Sequence, residues 1–188
     1  MSSKEAIAAY IAIAGVVVSY ITYIFNKKQL KQNHLSELIK NFNQPSHREA
    51  RKVIYDHSQK KNKFQTCLFN YLKLTKFTEF EAEAKEALIE ISKNIVRSDL
   101  NYAGTLVLYK MIESKMFLDE YWWIILSCWN ILENDIKERR NTNNGISNYM
   151  RNFENLKIMA EKFVKKNYPN DWENFQKSIK NKKYKSLE

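Results

Sequence analysis

The pattern of apolar and polar positions opens with twenty consecutive uncharged residues, 6–25. At about 1.5 Å of rise per residue this run makes roughly 30 Å of helix, the thickness of the hydrocarbon core of a bilayer. A cleaved signal peptide is disfavoured, because the leader lacks a net basic charge and the run ends in bulky residues. A buried core helix is the alternative. The run predicts a transmembrane helix within residues 1–25.

The charges that flank this run predict its orientation. Lys27, Lys28 and Lys31 follow it, whereas only Lys4, offset by Glu5, precedes it. Basic residues accumulate on the cytoplasmic side of membrane helices. The flanks therefore predict that the amino terminus lies outside and the rest of the chain lies in the cytoplasm. We expect a single-pass protein of the inner (plasma) membrane, with the lipid bilayer as one partner.

Small residues recur along one face of the same run. Ala8, Ala12, Gly15, Ser19 and Thr22 are separated by four, three, four and three positions, which places them on one side of a helix. Small side chains let two helix backbones approach closely, and packing of this kind drives helix association in lipid. The stripe predicts a packing face for self-association. The alternative is a chance pattern in a run rich in alanine and glycine.

The apolar run is followed by a weaker helical pattern. Leu35, Leu38 and Phe42 are separated by three and four positions, which is typical of one apolar face of a helix. This spacing predicts an amphipathic juxtamembrane helix or stalk over residues 26–44. Pro45 then predicts an interruption, because proline removes a backbone donor and blocks the preceding turn.

The remaining pattern predicts a helical bundle over residues 45–168. Thr78 and Asp119 are candidate caps, because each precedes a run with helical apolar spacing. Residues 121–132 are the most apolar of these runs, and twelve residues are too few to span a bilayer. We therefore expect them to form the centre of the bundle. Residues 169–188 predict a short final helix and a basic tail.

Composition supports an all-helical domain. The chain of 188 residues contains three glycines and two prolines, which leaves little turn chemistry for many strands. The predicted fold class is therefore all-α, with a single N-terminal transmembrane helix followed by a cytoplasmic α-helical bundle. Cys67 and Cys128 lie within apolar helical patterns and predict buried thiols in a reducing compartment, although sequence leaves their pairing open.

Three motifs resemble a known family. They are FNQPSHREARKVIY at 42–55, YKMIESKMFLDEYW at 109–122 and DIKERR at 135–140. Together with the apolar start, they resemble the bacterial membrane-anchored helical family known as the domain of unknown function number 4760. The resemblance implies a membrane-tethered helical domain. It implies no catalytic activity and no site residues.

Candidate chemistry is sparse. The three histidines lack the spacing of zinc or di-iron motifs, and the glycines form no phosphate loop, so we predict no metal, no cofactor and no small-molecule substrate. Arg51 and His57 resemble the arginine-to-histidine spacing of HEPN-type ribonucleases, which implies a phosphate-binding arginine and an acid–base histidine. Six positions on a straight helix turn the two side chains about 240° apart. The plain interpretation is a surface histidine and an ion-paired arginine.

The chain carries a formal net charge of +10, and part of the excess is clustered. Such clusters predict contact with an anionic lipid surface, with nucleic acid as the competing partner. A solvated basic tail is the third interpretation. The lysines concerned are Lys27, Lys28, Lys31, Lys177, Lys180, Lys182, Lys183 and Lys185.

These patterns favour a membrane-anchored interaction or regulatory module over an enzyme. Its expected partner is another protein or a second copy of the same chain. The alternative function is a membrane-tethered effector of the abortive-infection type, active in phage defence, that binds or cleaves nucleic acid.

Overall fold

The structure is a computed structural model that describes residues 3–59, 78–142 and 146–184, with side chains at 10, 13–59, 83–142 and 146–179. These ranges contain six helices and no strand, which confirms the predicted all-helical class. The helices are α1 (Ser3–Phe42), α2 (Pro45–Ser58), α3 (Thr78–Leu108), α4 (Ser114–Asn141), α5 (Arg151–Asn167) and α6 (Pro169–Tyr184).

Helix α1 has 40 residues, about 60 Å of helix, and its two ends differ in environment. Near its carboxyl end, Leu35, Leu38 and Phe42 are buried in the bundle core. The large apolar side chains described between residues 10 and 30 are exposed. We call residues 10–30 the arm. The predicted stalk is thus continuous with the arm, and its last turns form part of the folded core.

The predicted transmembrane helix is wrong. Within the described part of the chain, no helix is long and apolar enough to cross a membrane. Three further predictions depended on this helix and are wrong as well: the single-pass topology, the external amino terminus and the inner-membrane localisation.

One hydrophobic core joins the helices. Helix α5 lies against α3, α4 and α6, while α2 packs on α3 and α4. The rings of Phe42, Phe117 and Tyr121 meet at centroid distances of 5.0 to 5.7 Å, which ties the end of α1 to the start of α4. Edge-on and offset ring contacts of this kind stabilise a core beyond the burial of their area.

Helix α4 carries the apolar run that the sequence placed at the centre of the bundle. Its buried residues include Ile125, Trp129 and Leu132. The predicted cap at Asp119 is wrong, because α4 begins at Ser114 and places Asp119 inside the helix. The carboxylate of Asp119 instead accepts a hydrogen bond from the Tyr168 hydroxyl.

Helices α3 and α5 approach each other closely at Gly104. A Cβ atom placed on Gly104 would lie 2.2 Å from the backbone oxygen of Asn152. The Asn152 amide donates to the Thr105 hydroxyl at 2.8 Å, and the backbone N–H of Phe153 donates to the Asn101 side chain at 3.2 Å. Polar contacts therefore surround a crossing at which only glycine leaves room for the opposing backbone.

Helix α3 ends in a Schellman motif without a glycine. The N–H of Met111 donates to the carbonyl of Leu106 at 2.8 Å, and the N–H of Lys110 donates to that of Val107 at 3.1 Å. Lys110 adopts the left-handed conformation, with φ of 56°. A residue with a Cβ is disfavoured there by about 1 kcal/mol or more.

Replacing Lys110 with glycine is expected to raise the free energy of unfolding by about 0.5 to 1 kcal/mol, because glycine adopts positive φ without this cost. Lys162 is the matched control, since it is an exposed lysine inside α5. Lys162→Gly should lower the free energy of unfolding by about 1 kcal/mol. Chemical denaturation measures both changes. A loss of stability in Lys110→Gly would contradict the assigned helix end.

Candidate functional site

The arm is exposed on all sides. At about 100° per residue, its large apolar side chains cover roughly two thirds of the helix circumference, and Gly15, Ser19 and Thr22 lie on the remaining side. A helix that is apolar all round is normally buried by something else. The arm thus presents a long apolar surface. The side chains concerned are Tyr10, Ile13, Val16, Val17, Val18, Tyr20, Ile21, Tyr23, Ile24, Phe25 and Leu30.

The described part of the predicted small-residue face is compatible with close packing. The Ser19 hydroxyl donates to the Gly15 carbonyl, and the Thr22 hydroxyl donates to the Val18 carbonyl, each at 2.8 Å. Both donors are therefore satisfied within α1. A Cβ on Gly15 would meet nothing within 4 Å. The side chains of Ala8 and Ala12 lie outside the described residues, so the full five-residue face stays a prediction.

The structure places the predicted lysine contacts at two separate locations. Lys27 and Lys28 are exposed on α1, and Lys31 is partly buried there. The Lys27 ammonium lies 5.8 Å from the centroid of the Tyr23 ring. Lys177 is exposed on α6. The side chains of the other predicted lysines lie outside the described residues, so contact with an anionic surface stays a prediction; these are Lys180, Lys182, Lys183 and Lys185.

Arg51 lies at the junction between α1 and α2. One of its terminal nitrogens, Nη2, donates to the carbonyl of Phe42, and the guanidinium carbon lies 5.1 Å from the centroid of the Phe42 ring. The other terminal nitrogen, Nη1, is buried and has no hydrogen-bond partner among the described residues. Arg51 is therefore held in place through Nη2, while the hydrogen-bonding capacity of Nη1 is not met by the described residues.

A histidine–carboxylate pair lies beside Arg51. The Nδ1 atom of His47 on α2 is 2.5 Å from a carboxylate oxygen of Asp99 on α3, and both side chains are partly buried. We call His47, Arg51 and Asp99 the junction cluster. His47 and Arg51 are four positions apart on α2, so they share a helix face. This spacing is visible in the sequence. Asp99, however, is 52 positions from His47, and the sequence alone could not assign it to the same cluster.

Burial governs the ionisation of this cluster. It raises the pKa of Asp99, although His47 and Arg51 act in the opposite direction. It also lowers the pKa of Arg51. Nearby Cys128 is fully buried, and burial raises the pKa of its thiol to about 12. Cys128 is therefore a protonated core thiol at neutral pH, as predicted, and lacks the thiolate that a nucleophile needs. Cys67 lies outside the described residues.

The structure gives Arg51 and His57 different neighbours. His57 is exposed on α2, and its pKa is lowered by burial and by Lys93 and Lys85 of α3. Arg51 instead contacts Phe42 and lies near Asp99. The proposed acid–base and phosphate-binding pair stays a prediction, and this geometry adds no support to it.

A second polar cluster joins α3 to α4, and no role was predicted for its central residue, Arg97. Arg97 is fully buried, donates to Asp135 of α4 and also donates to Glu90 at 2.8 Å. Arg139 binds the same two carboxylates, and the Lys93 ammonium lies 3.4 Å from Asp135. We call these five residues the interhelical ion network. It ties α3 to α4.

Comparison with known proteins identifies the family. Among the described residues, no group of three histidine, cysteine or acidic side chains is placed to hold a metal ion. No curated protein and no solved structure matches the chain. The family model described as a domain of unknown function, DUF4760, matches residues 9–163, which include the whole arm and extend into α5. The chain therefore belongs to the DUF4760 family, as its three motifs predicted.

Proposed function

We propose that this protein is an interaction module that assembles by packing its apolar arm against the arms of other copies of the chain. The observation that supports the proposal is the contrast along α1. Its carboxyl end is buried in a closed core, while the large apolar side chains of the arm are exposed. Exposed apolar surfaces of this extent mark sites of association.

The distribution of these side chains favours more than a pair of copies. A single neighbouring helix covers one side of the arm and leaves the opposite side in water. Ile13, Val17 and Ile24 lie on one side of the helix, whereas Val18 and Tyr23 lie about 100° or more away from it, in opposite directions. We therefore expect an assembly of about three or more chains, in which the arms form a common apolar core.

The small-residue face supplies a possible close contact between arms. Gly15 has open space around it, and the hydroxyls of Ser19 and Thr22 are already bonded within their own helix. Packing this face against another helix would leave no hydroxyl donor unsatisfied. A nucleic-acid effector is not proposed, because Arg51 and His57 have different neighbours.

Replacing Ile21 with glutamate in the full-length chain is expected to weaken self-association about tenfold or more, because burying this side chain contributes about 1.5 to 3 kcal/mol. Ile91→Glu is the matched control. Both isoleucines are exposed on helices, Ile21 at 60% and Ile91 at 55%, but Ile91 lies on the bundle. Sedimentation velocity over a range of concentrations measures the association.

Two results would contradict the proposal. One is a full-length chain that remains monomeric at every concentration. The other is an equal loss of association in Ile21→Glu and Ile91→Glu, which would place the contact on the bundle or reflect the added charge alone. Circular dichroism of both variants should show unchanged helix content, because neither side chain is part of the buried core.

A further inference from the structure

An open pocket of about 470 Å³ lies beside the junction cluster. It is formed where α1 gives way to α2 and where both face the first turns of α4. Two of its lining residues are arginines, three positions apart on α2, so both guanidiniums reach the same side of that helix. The lining consists of Asn43, Arg48, Arg51, Glu120, Tyr121 and Ile124.

The pocket contains hydrogen-bond donors that the protein does not use. Nη1 of Arg51 is buried without a hydrogen-bond partner among the described residues, and Arg48, which lines the same pocket, is exposed. The side-chain amide of Asn43 donates one N–H to the Tyr121 hydroxyl at 3.2 Å, and it carries a second N–H that can donate to another acceptor. Three separate groups thus offer N–H donors around one space.

The two guanidiniums also act on each other. Arg48 lowers the pKa of Arg51 through charge repulsion, whereas the carboxylate of Asp99 acts in the opposite direction. A buried cation with an unmade hydrogen bond is costly to the fold. An oxyanion between Arg48 and Arg51 would supply the missing acceptors and offset the repulsion.

We propose that this pocket binds the phosphoryl group of a small, soluble phosphate monoester. A phosphoryl group carries three acceptor oxygens, which match donors from Arg48, Arg51 and Asn43. A carboxylate has two oxygens in one plane and would leave one of the three donor groups unused. This inference is independent of assembly through the arm.

Glu120 limits which chemical groups the ligand can carry besides its phosphoryl group. Its carboxylate lines the same pocket and interacts with the Tyr121 hydroxyl. A second anionic group on the ligand would be repelled there, whereas a hydroxyl or amino group would find an acceptor. The pocket therefore fits a singly phosphorylated molecule that carries uncharged or donor groups, such as a polyol phosphate.

Calorimetric titration of the full-length protein with glycerol phosphate, inorganic phosphate and acetate tests the inference. Glycerol phosphate is expected to bind saturably and more tightly than acetate. Arg48→Gln should weaken its affinity about tenfold or more, since a hydrogen bond to a charged group contributes at least that much. Arg51→Lys should weaken it as well, because lysine keeps the charge but loses the planar fork.

Arg151→Gln is the matched control, because Arg151 is an exposed arginine at the start of α5 and the charge change is the same. It should leave the affinity unchanged. Absence of saturable binding, equal affinity for acetate, or equal weakening by Arg151→Gln would overturn the inference. Vesicles of phosphatidylcholine with phosphatidic acid form a further arm. Arg48-dependent binding to these vesicles without binding of glycerol phosphate would assign the site to a lipid headgroup and overturn the soluble ligand.

Discussion

Replacing Gly104 with alanine is expected to lower the free energy of unfolding by about 3 kcal/mol, at the upper end of the cost of overpacking a core. The added Cβ would lie 2.2 Å from the backbone oxygen of Asn152 and 2.6 Å from its carbonyl carbon. Backbone atoms cannot rotate away as a side chain can. Helices α3 and α5 would have to separate, which would also stretch the bond between Asn152 and Thr105.

Gly15→Ala is the matched control for this prediction. The substitution is chemically identical and also lies within a helix, but the added Cβ would meet nothing within 4 Å. Alanine is a better helix former than glycine by about 1 kcal/mol, so this variant should be no less stable than the natural chain. Thermal and chemical denaturation measure both variants. If Gly104→Ala were as stable as Gly15→Ala, the close crossing of α3 and α5 would be wrong.

The features that follow from local periodicity could be predicted from the sequence. The apolar spacing that ends at Phe42 predicted a helix, and Pro45 predicted its interruption; α1 ends at Phe42 and α2 begins at Pro45. Thr78 was predicted to precede a helix and is the first residue of α3. These elements depend on residues within about one turn of each other, which a single sequence displays directly.

The membrane prediction failed because it depended on the length of one uninterrupted run. No helix of the described chain has the length and apolarity that a membrane span requires. Composition correctly indicated an unusual apolar segment, since the large side chains of the arm are exposed in the structure.

The polar clusters could not be predicted because their members are far apart in sequence. His47 and Asp99 are 52 positions apart, and Arg97 and Asp135 are 38 positions apart. A lone arginine within an apolar pattern is normally assigned to the surface, because an unpaired buried charge is costly. Arg97 is buried because the neighbouring helix α4 supplies its carboxylate, and only the packing of α3 on α4 reveals that partner.

The interhelical ion network contains two arginines in very different environments. Arg97 is 0% exposed and Arg139 is 44% exposed, yet both contact Glu90 and Asp135. Burial is the largest influence on Glu90 and disfavours its ionised form, but Arg97, Arg139 and Lys93 together lower its pKa. A carboxyl group with a lowered pKa in the fold stabilises the protein above its ordinary value of 4.5, and this contribution is lost as the pH falls.

Arg97→Ala is therefore expected to lower the free energy of unfolding at neutral pH by about 3 to 5 kcal/mol, because it leaves a cavity and removes the buried partner of Asp135. Arg139→Ala should cost about 1 kcal/mol or less, because an exposed ion pair is screened by water. Urea denaturation at several pH values measures both variants. The difference between the natural chain and Arg97→Ala should narrow as the pH falls below 4.5, because protonated Glu90 no longer gains from the guanidinium. An equal loss of unfolding free energy in the two variants would show that the burial of Arg97 does not determine how much this network stabilises the fold.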